Sequence, residues 1–430
     1  MARETVSVGV LGCGNVGASL VRLVAEHGDV IAARVGARVE VVRVAVRDTG
    51  RDRGVALPAG VLTDDAAAVV VDPAVDVVVE VMGGTDPARS LIEAALRAGK
   101  PVVTANKELI ARDGPELFRI AAEAGVDLLF EASVAGGIPL LRPLRESLAG
   151  DRIRRVLGIV NGTTNYILTR MADEGAPFAD ALAEAQRLGY AEADPTADVE
   201  GFDAAAKAAI IATIAFGAPV GPGDVHREGI TGITADDIAS AARLGYVVKL
   251  LAVAEEVDGA ITVRVHPAMV PVHHPLAAVR EAFNAVFIEA DAVGELMLYG
   301  RGAGGDPTAS AVLGDLVDAA RNLVAGARGA TIGELTAAPF RPMAEVSSRY
   351  YVLLEAADQP GVLAAIAERF GSHGVSIASM EQRGLGDDAR LVFITHRARE
   401  ADLLATLDDL RGADAVRRVG SVIRVVGEED

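Results

Sequence analysis

Gly12-Cys13-Gly14-Asn15-Val16-Gly17 follows directly on the apolar run Val6 to Leu11 and opens a stretch, Asn15 to Glu26, with helical spacing of apolar residues. A G-x-G-x-x-G between a strand and a helix leaves few folds open. Gly12 permits the tight turn, Gly14 lets a backbone approach a pyrophosphate, and Gly17 lets the helix lie close on the strand. The free N–H groups of the first helical turn, at Asn15 and Val16, then face the anion. The motif predicts a dinucleotide-binding βα unit.

The residues that follow extend this reading. Val-rich runs at Glu40 to Val46 and Val75 to Val81, and short strands at Pro101 to Thr104 and Asp127 to Phe130, alternate with helical stretches at Pro87 to Ala98 and Gly114 to Ala124. Near-continuous apolar strands separated by helices predict a parallel sheet covered on both faces, joined by right-handed crossovers. The expected fold class is α/β. A Rossmann-type doubly wound domain over 1–135 is completed by a helix at about 305–330, and an α+β catalytic and dimerisation domain fills 136–304. Within the latter, strands at Ile153 to Val160 and Ala260 to Val265 mix with Ala-rich helices expected near 179–189, 203–216 and 235–255. A linker is expected over 331–348, and 349–430 reads as a βαββαβ module.

Composition removes several classes of function. The 430 residues carry a net charge of −19, which disfavours nucleic acid or an anionic membrane surface as a partner. A single cysteine excludes an internal disulfide framework, a thiolate zinc site and a CxxC redox motif. The longest charge-free stretch, Ala208 to Gly223, is 16 residues long and holds two prolines, too short to span a bilayer, which takes about 20 residues. Met1 to Thr5 leads straight into a strand pattern without the features of a secretion signal, so a cytoplasmic protein is expected.

The densest chemistry lies between Leu188 and Lys207, where five carboxylates precede one lysine. Asp203 and Lys207 are four apart, on one face of a helix that continues apolar nearly all round. A lysine that opens a buried helix is unusual unless paired, and burial suits it to proton transfer. The histidines are less promising. His226 lies near a turn, while His266, His273 and His274 sit in a Pro-punctuated segment, and all four read as structural or surface residues. Cys13, inside the glycine loop, reads as a small buried filler. At the end of the second strand, where an acid usually holds the ribose of NAD, stand Arg47 and Asp48. Arg47 could clamp a 2′-phosphate, which makes NADP the expected cofactor, with NAD as the alternative.

Several motifs in one order resemble those of homoserine dehydrogenase over essentially the whole chain. They are the glycine loop, Gly83-Gly84-Thr85, Thr104-Ala105-Asn106-Lys107, Glu131 to Pro139, Asn161-Gly162-Thr163-Thr164-Asn165-Tyr166, Leu188 to Lys207 and Gly300 to Gly304. The resemblance implies oxidation of L-homoserine to L-aspartate 4-semialdehyde with NAD(P), usually run in reverse, in threonine, methionine and isoleucine biosynthesis. It implies Lys207 as the acid/base at the hydroxyl and Lys107 as a second catalytic lysine near cofactor and substrate. Glu192, Asp203 and, less directly, Asp198 match substrate-binding carboxylates. Thr104, Gly189 and Gly302 match positions at the cofactor. Glu131, with the backbone carbonyls of Val134, Gly136 and Ile138, matches a monovalent cation site for sodium or potassium.

The C-terminal βαββαβ pattern, with Asp358-Gln359-Pro360-Gly361-Val362 after its first strand, looks like an ACT domain, a regulatory amino-acid-binding fold. That likeness implies an amino-acid effector, L-threonine in some relatives. A homodimer or homotetramer is expected. Two other readings stay open: a Rossmann dehydrogenase of another small amino acid, and a non-catalytic amino-acid sensor. An aspartate semialdehyde dehydrogenase would need a nucleophilic cysteine in its catalytic domain. The one cysteine is in the cofactor loop.

Overall fold

The computed structural model describes residues 3–330, 332–383 and 389–427. Met1 and Ala2, part of the expected cytoplasmic start, and Thr331, the first residue of the expected linker, lie outside the described residues. In chain order the first elements are β1 (Thr5–Leu11), α1 (Asn15–Glu26), α2 (Gly28–Val35), β2 (Arg38–Ala45), β3 (Leu62–Thr63), α3 (Ala66–Val71), β4 (Val77–Glu80), α4 (Ala88–Arg97), β5 (Val102–Thr104), α5 (Lys107–Ala124), β6 (Leu128–Leu129) and β7 (Ile153–Ile159). Next come α6 (Gly162–Glu174), α7 (Phe178–Arg187), α8 (Thr196–Val199), α9 (Phe202–Phe216), β8 (His226–Arg227), α10 (Ala235–Arg243), β9 (Tyr246–Val257), β10 (Ala260–Pro271), β11 (Phe283–Ala290) and β12 (Gly294–Arg301). The chain closes with α11 (Gly305–Ala325), β13 (Ser347–Ala356), α12 (Val362–Ser372), β14 (Ile377–Arg383), β15 (Arg390–Thr395), β16 (Ala398–Arg399), α13 (Glu400–Arg411) and β17 (Val416–Val425).

Two compact units are present. The first holds 1–160, 206–225 and 283–338. Its main sheet is parallel throughout, in the order β3-β2-β1-β4-β5-β6. The order reverses between β1 and β4, and in such sheets ligands bind at the carboxyl ends of the strands at that reversal. Val6, Val8 and Val10 of β1 are fully buried, and α11 supplies Ala309, Val312, Leu316, Ala319 and Ala320 to the same core. A helix some 300 residues distant in sequence thus covers the sheet that begins the chain. Its first turn lies on α1, where Arg22 Nη2 donates to Asp306 at 2.6 Å. The antiparallel strands β12-β11-β7 belong to this unit as well.

The second unit holds 161–205, 226–282 and 339–430. Its strands follow the order β9-β10-β17-β13-β15-β14. The last four form the expected βαββαβ module with α12 and α13, its core led by Tyr350, Phe370 and Phe393. β17 has two partners. It pairs antiparallel with β13 and parallel with β10, where Ala268 faces Arg424 and Met269 faces Val425.

Three local expectations need correction. The helix expected over 235–255 ends at Arg243, and after Gly245 the chain runs as strand β9. Tyr246-Val247-Val248-Lys249-Leu250-Leu251 is apolar and partly β-branched, a run in which periodicity cannot separate buried strand from buried helix. The helix expected from Gly114 starts at Lys107, capped by the Asn106 side chain, and passes through Pro115. Between α1 and β2 the chain also forms α2, over Gly28–Val35, which no sequence signal predicts. The strand expected to end at Val265 continues to Pro271. In the stretch read as a linker, Ile261 N donates to Pro339 O and Arg341 N to Ile261 O, both at 2.9 Å. No helix among the described residues is long and apolar enough to cross a membrane.

Candidate active site

The glycine loop sits at the carboxyl end of β1, as the motif predicts. Gly12 has φ of +98°, and a Cβ there would lie 2.8 Å from Val81 O. A Cβ on Gly17 would lie 2.3 Å from Gly12 O, which is why the helix can come so close only with glycine there. At Gly14 a Cβ would meet nothing within 4 Å. That face of the loop is open, as a bound pyrophosphate requires. Asn15 and Val16 begin α1 with no side-chain cap on their N–H groups. Cys13 is 7 % exposed. Burial pushes its thiol up and the Arg53 charge pulls it part of the way back, so it is a buried filler with little thiolate.

Arg47 is exposed just past β2. Its neighbour Asp48 is held locally, its Oδ1 accepting the Gly50 N–H at 2.9 Å and its carbonyl accepting from Arg53. Arg53 is a second cation near the loop that sequence reasoning missed, because it lies in an irregular stretch with no motif around it.

A buried carboxylate organises the other side of the crevice. Glu80, fully buried at the end of β4, accepts the Thr104 hydroxyl at 2.6 Å and the Met82 N–H at 2.8 Å. Asn106 caps α5 through Oδ1 and donates through Nδ2 to Gly84 O at 2.6 Å. The hydroxyl of Thr104 is therefore engaged in the scaffold, and the network places half-buried Lys107 at the first position of α5.

The segment 131–142 is tied down from within. Glu131, 7 % exposed, accepts the N–H groups of Leu140 at 2.5 Å, Leu141 at 2.8 Å and Arg142 at 2.7 Å. Asp315 of α11 accepts Glu131 N–H at 2.8 Å and Arg142 Nη2 at 3.0 Å. Burial, reinforced by the nearby Glu131 charge, pushes Asp315 up to about 7. A small cavity is lined by Phe130, Glu131, Leu141, Arg145, Ile214 and Asp315. Further along, Gly137 N donates to Arg301 O at 3.1 Å, and a Cβ on Gly136 would lie 2.3 Å from Gly302 O. Asn284, 1 % exposed, presses on Gly302 and has neither amide atom bonded among the described residues.

In the second unit the carboxylates converge on one amide. Asn161 Nδ2 donates to Asp198 Oδ1 at 2.6 Å and to Asp203 Oδ2 at 2.9 Å. The first turns of α6 also hold the Leu188 to Asp194 segment. Thr163 Oγ1 donates to Tyr190 O at 2.7 Å, and the Tyr166 and Tyr190 rings lie 4.8 Å apart. Gly189 follows α7, and Glu192 is exposed, with its carbonyl held by Gln186 Nε2 at 3.0 Å. The Arg227 guanidinium carbon lies over the Phe202 ring, 3.4 Å from its centroid. Lys207, one helical turn after Asp203 on α9, is half-buried rather than fully buried, and its Nζ donates to Val160 O at 2.8 Å. The histidines carry none of this. His226 pairs with Glu228 at 2.8 Å, and His266 is buried within β10, where desolvation and the Arg424 charge hold it well below its usual range.

In the turn after β13, Asp358, Gln359, Pro360 and Gly361 are exposed and Val362 begins α12, while Asp358 Oδ1 accepts Gln382 Nε2 from β14 at 3.1 Å.

Comparison with known proteins matches this arrangement. Residues 12–131 match the family model described as homoserine dehydrogenase, NAD binding domain, 139–317 match homoserine dehydrogenase, and 350–415 match the ACT domain. Homoserine dehydrogenase of Mycobacterium tuberculosis H37Rv is 53% identical over 99% of this chain and 98% of its own. That of Bacillus subtilis is 43% identical over 99% of each. Among solved structures, a homoserine dehydrogenase from Thiobacillus denitrificans superposes with a TM-score of 0.94 at 42% identity, covering 99% of both chains. A hyperthermophilic archaeal homoserine dehydrogenase in complex with NADPH superposes with a TM-score of 0.63 at 30% identity, covering 74% of this chain and 98% of that one. The chain belongs to the homoserine dehydrogenase family of oxidoreductases and carries an NAD(P)-binding domain and a C-terminal ACT domain.

Proposed function

We propose that the chain transfers hydride reversibly between NAD(P)H and L-aspartate 4-semialdehyde, giving L-homoserine, as a step in threonine, methionine and isoleucine biosynthesis. One observation carries this reading: Asp198 and Asp203 are drawn together by Asn161, and Lys207 follows one turn later on α9. Two carboxylates suit the substrate's ammonium group, and Glu192 adds a third acceptor. When bound, the nicotinamide cofactor supplies the hydride. Lys207 gives its proton to the oxygen of the reduced aldehyde and takes it back from the hydroxyl in the reverse direction. Lys107, at the start of α5, is the second lysine of the site. Consumption of NADPH on addition of aspartate semialdehyde tests the proposal. An inactive protein, or one that prefers another small amino acid, would overturn it.

Gly12, Gly14, Asn15, Val16 and Gly17 hold the pyrophosphate in this reading, with Thr104, Gly189 and Gly302 nearer the nicotinamide. Arg47 faces the 2′-phosphate and makes NADP the preferred cofactor, in keeping with the NADPH bound to the archaeal relative. The residues around Gly136 suit a monovalent cation. The backbone N–H groups of Ser133, Val134, Gly137 and Ile138 donate to the carbonyls of Phe130, Glu131, Arg301 and Ala135. The carbonyl oxygens of Val134, Gly136 and Ile138 are of the kind a hard cation takes. Bound there, sodium or potassium would stiffen the loop that carries Gly136 against Gly302.

The ACT domain would bind an amino-acid effector, L-threonine, at the turn from Asp358 to Val362. Inhibition by threonine together with a rise in melting temperature is the expected outcome, and an inert response to threonine would remove that part of the reading. The enzyme is taken to work in the cytoplasm as a homodimer or homotetramer, closed symmetric assemblies being the rule for soluble oligomers.

A further inference from the structure

We infer that Asn161 is a positioning residue for the substrate's ammonium group, acting through Asp198 and Asp203, whose carboxylates it holds at one fixed spacing. The inference rests on the reading of those two acids as the substrate's partners. Asn161 is 5 % exposed and immediately precedes α6. Its Oδ1 accepts the Thr164 N–H at 2.9 Å and the Thr164 hydroxyl at 3.0 Å. A backbone N–H needs an acceptor, so the amide has only one workable orientation, with the NH2 group turned away from the helix. That group has two hydrogens, and each goes to a different carboxylate, at 2.6 Å and 2.9 Å.

The two acids need such a tie. Asp198 is on α8, a helix of 4 residues, and Asp203 is in the first turn of α9, with Glu200 and Gly201 between the helices. Two short elements joined by a bend do not fix the distance between two side chains. A third element that donates to both does. The chemistry of the donor matters as well. A lysine or arginine at this point would cancel the negative charge of the pair. A neutral amide aligns both carboxylates without adding a positive charge of its own to the pair.

The full-length enzyme tests this with L-homoserine and NADP. Asn161→Ser keeps a helix-capping oxygen and loses the two-pronged donor. Asn161→Asp keeps cap, shape and volume and loses both donors. Both are expected to raise KM for homoserine about tenfold or more, the effect of losing a hydrogen bond to a charged group. NADPH affinity should stay near that of the parent for both, and Asn161→Ser should also melt near the parent, whereas Asn161→Asp sets a third carboxylate against the other two and should melt lower. If Asn161 serves only as a helix cap, Asn161→Ser, which caps without adding charge, will keep the parental KM, and that result would overturn the inference. Asp198→Asn and Asp203→Asn separate the two levels of the argument. If they raise KM while both Asn161 variants do not, Asn161 is not a positioning residue. If the Asp variants leave KM unchanged, the assignment of the acids fails and the inference falls with it.

Discussion

Arg424 donates through Nη1 to Glu228 at 2.8 Å from a position 7 % exposed on the last strand. Its Nη2 donates to Glu400 at 2.6 Å, and the Tyr350 hydroxyl donates to the same carboxylate at 2.7 Å. One guanidinium thus ties β17 to both β8's flank and the start of α13. Removing one partner of a buried pair leaves the other charge uncompensated, at a cost of about 3–5 kcal/mol. Because Glu228 still pairs with Arg424, Glu400→Gln should cost less than that, about 1.5–3 kcal/mol in a urea titration.

Two carboxyls should give opposite pH dependences. Burial works against the charge of Glu228, but the His226 hydrogen bond and the Arg424 charge outweigh it and hold its pKa at about 2 against an ordinary 4.5. A folded-state pKa below the unfolded one stabilises fully above the ordinary value, and the contribution is lost as pH falls from about 4.5 to about 2. Asp315 is raised to about 7 from 3.8, so its contribution is full below the ordinary value and is lost as pH rises toward 7. In calorimetry, Glu228→Gln should flatten the acid limb of the melting profile, and Asp315→Asn the limb between about pH 4 and 7.

The glycines of the cofactor loop should separate folding from binding. Gly17→Ala places a methyl 2.3 Å from Gly12 O and should destabilise the protein by about 1–3 kcal/mol. At Gly14 a methyl meets no protein atom within 4 Å. Gly14→Ala should melt like the parent without cofactor yet bind NADPH about tenfold or more weakly, roughly 1.4 kcal/mol. Fluorescence titration and differential scanning fluorimetry distinguish the two.

Lys207→Ala should lower kcat by about 10²–10⁴, the usual worth of a positioned acid/base, with NADPH affinity unchanged. A rate near that of the parent would transfer the role elsewhere, with Lys107 the first residue to examine.

Arg47→Ala should erode the preference for NADP by raising KM for NADP about tenfold while leaving KM for NAD in place, since only the former carries the 2′-phosphate. Parental kinetics with NAD equal to those with NADP would remove Arg47 from the site.

What could be read from the sequence was whatever is local. The glycine loop is legible because turn, pyrophosphate approach and helix packing all act within six residues. The parallel sheet is legible because strands buried on both faces are continuously apolar. Tyr246 to Val257 misled because an apolar run satisfies a buried strand and a buried helix alike. The residues missed at the site share a different cause. Asn161 looks like an N-cap, but its partners lie 37 and 42 positions downstream. Glu80, Asn284 and Asp315 stand in apolar or helical runs as single polar letters, and only the tertiary fold shows that they anchor backbone or face one another.

The double pairing of β17 bears on whether the ACT domain could be removed from this enzyme. A module hung on a tether can be cut away. Here the final strand of the ACT fold also lies along Ala268 and Met269 of β10, and Val426 N bonds Met269 O at 2.9 Å. Deleting the module would strip hydrogen-bonded backbone from the catalytic unit's sheet and leave a raw, apolar edge open to other chains. Any change meant to probe this domain should therefore alter single side chains, such as those of the exposed turn from Asp358 to Gly361, and leave the last strand in its place.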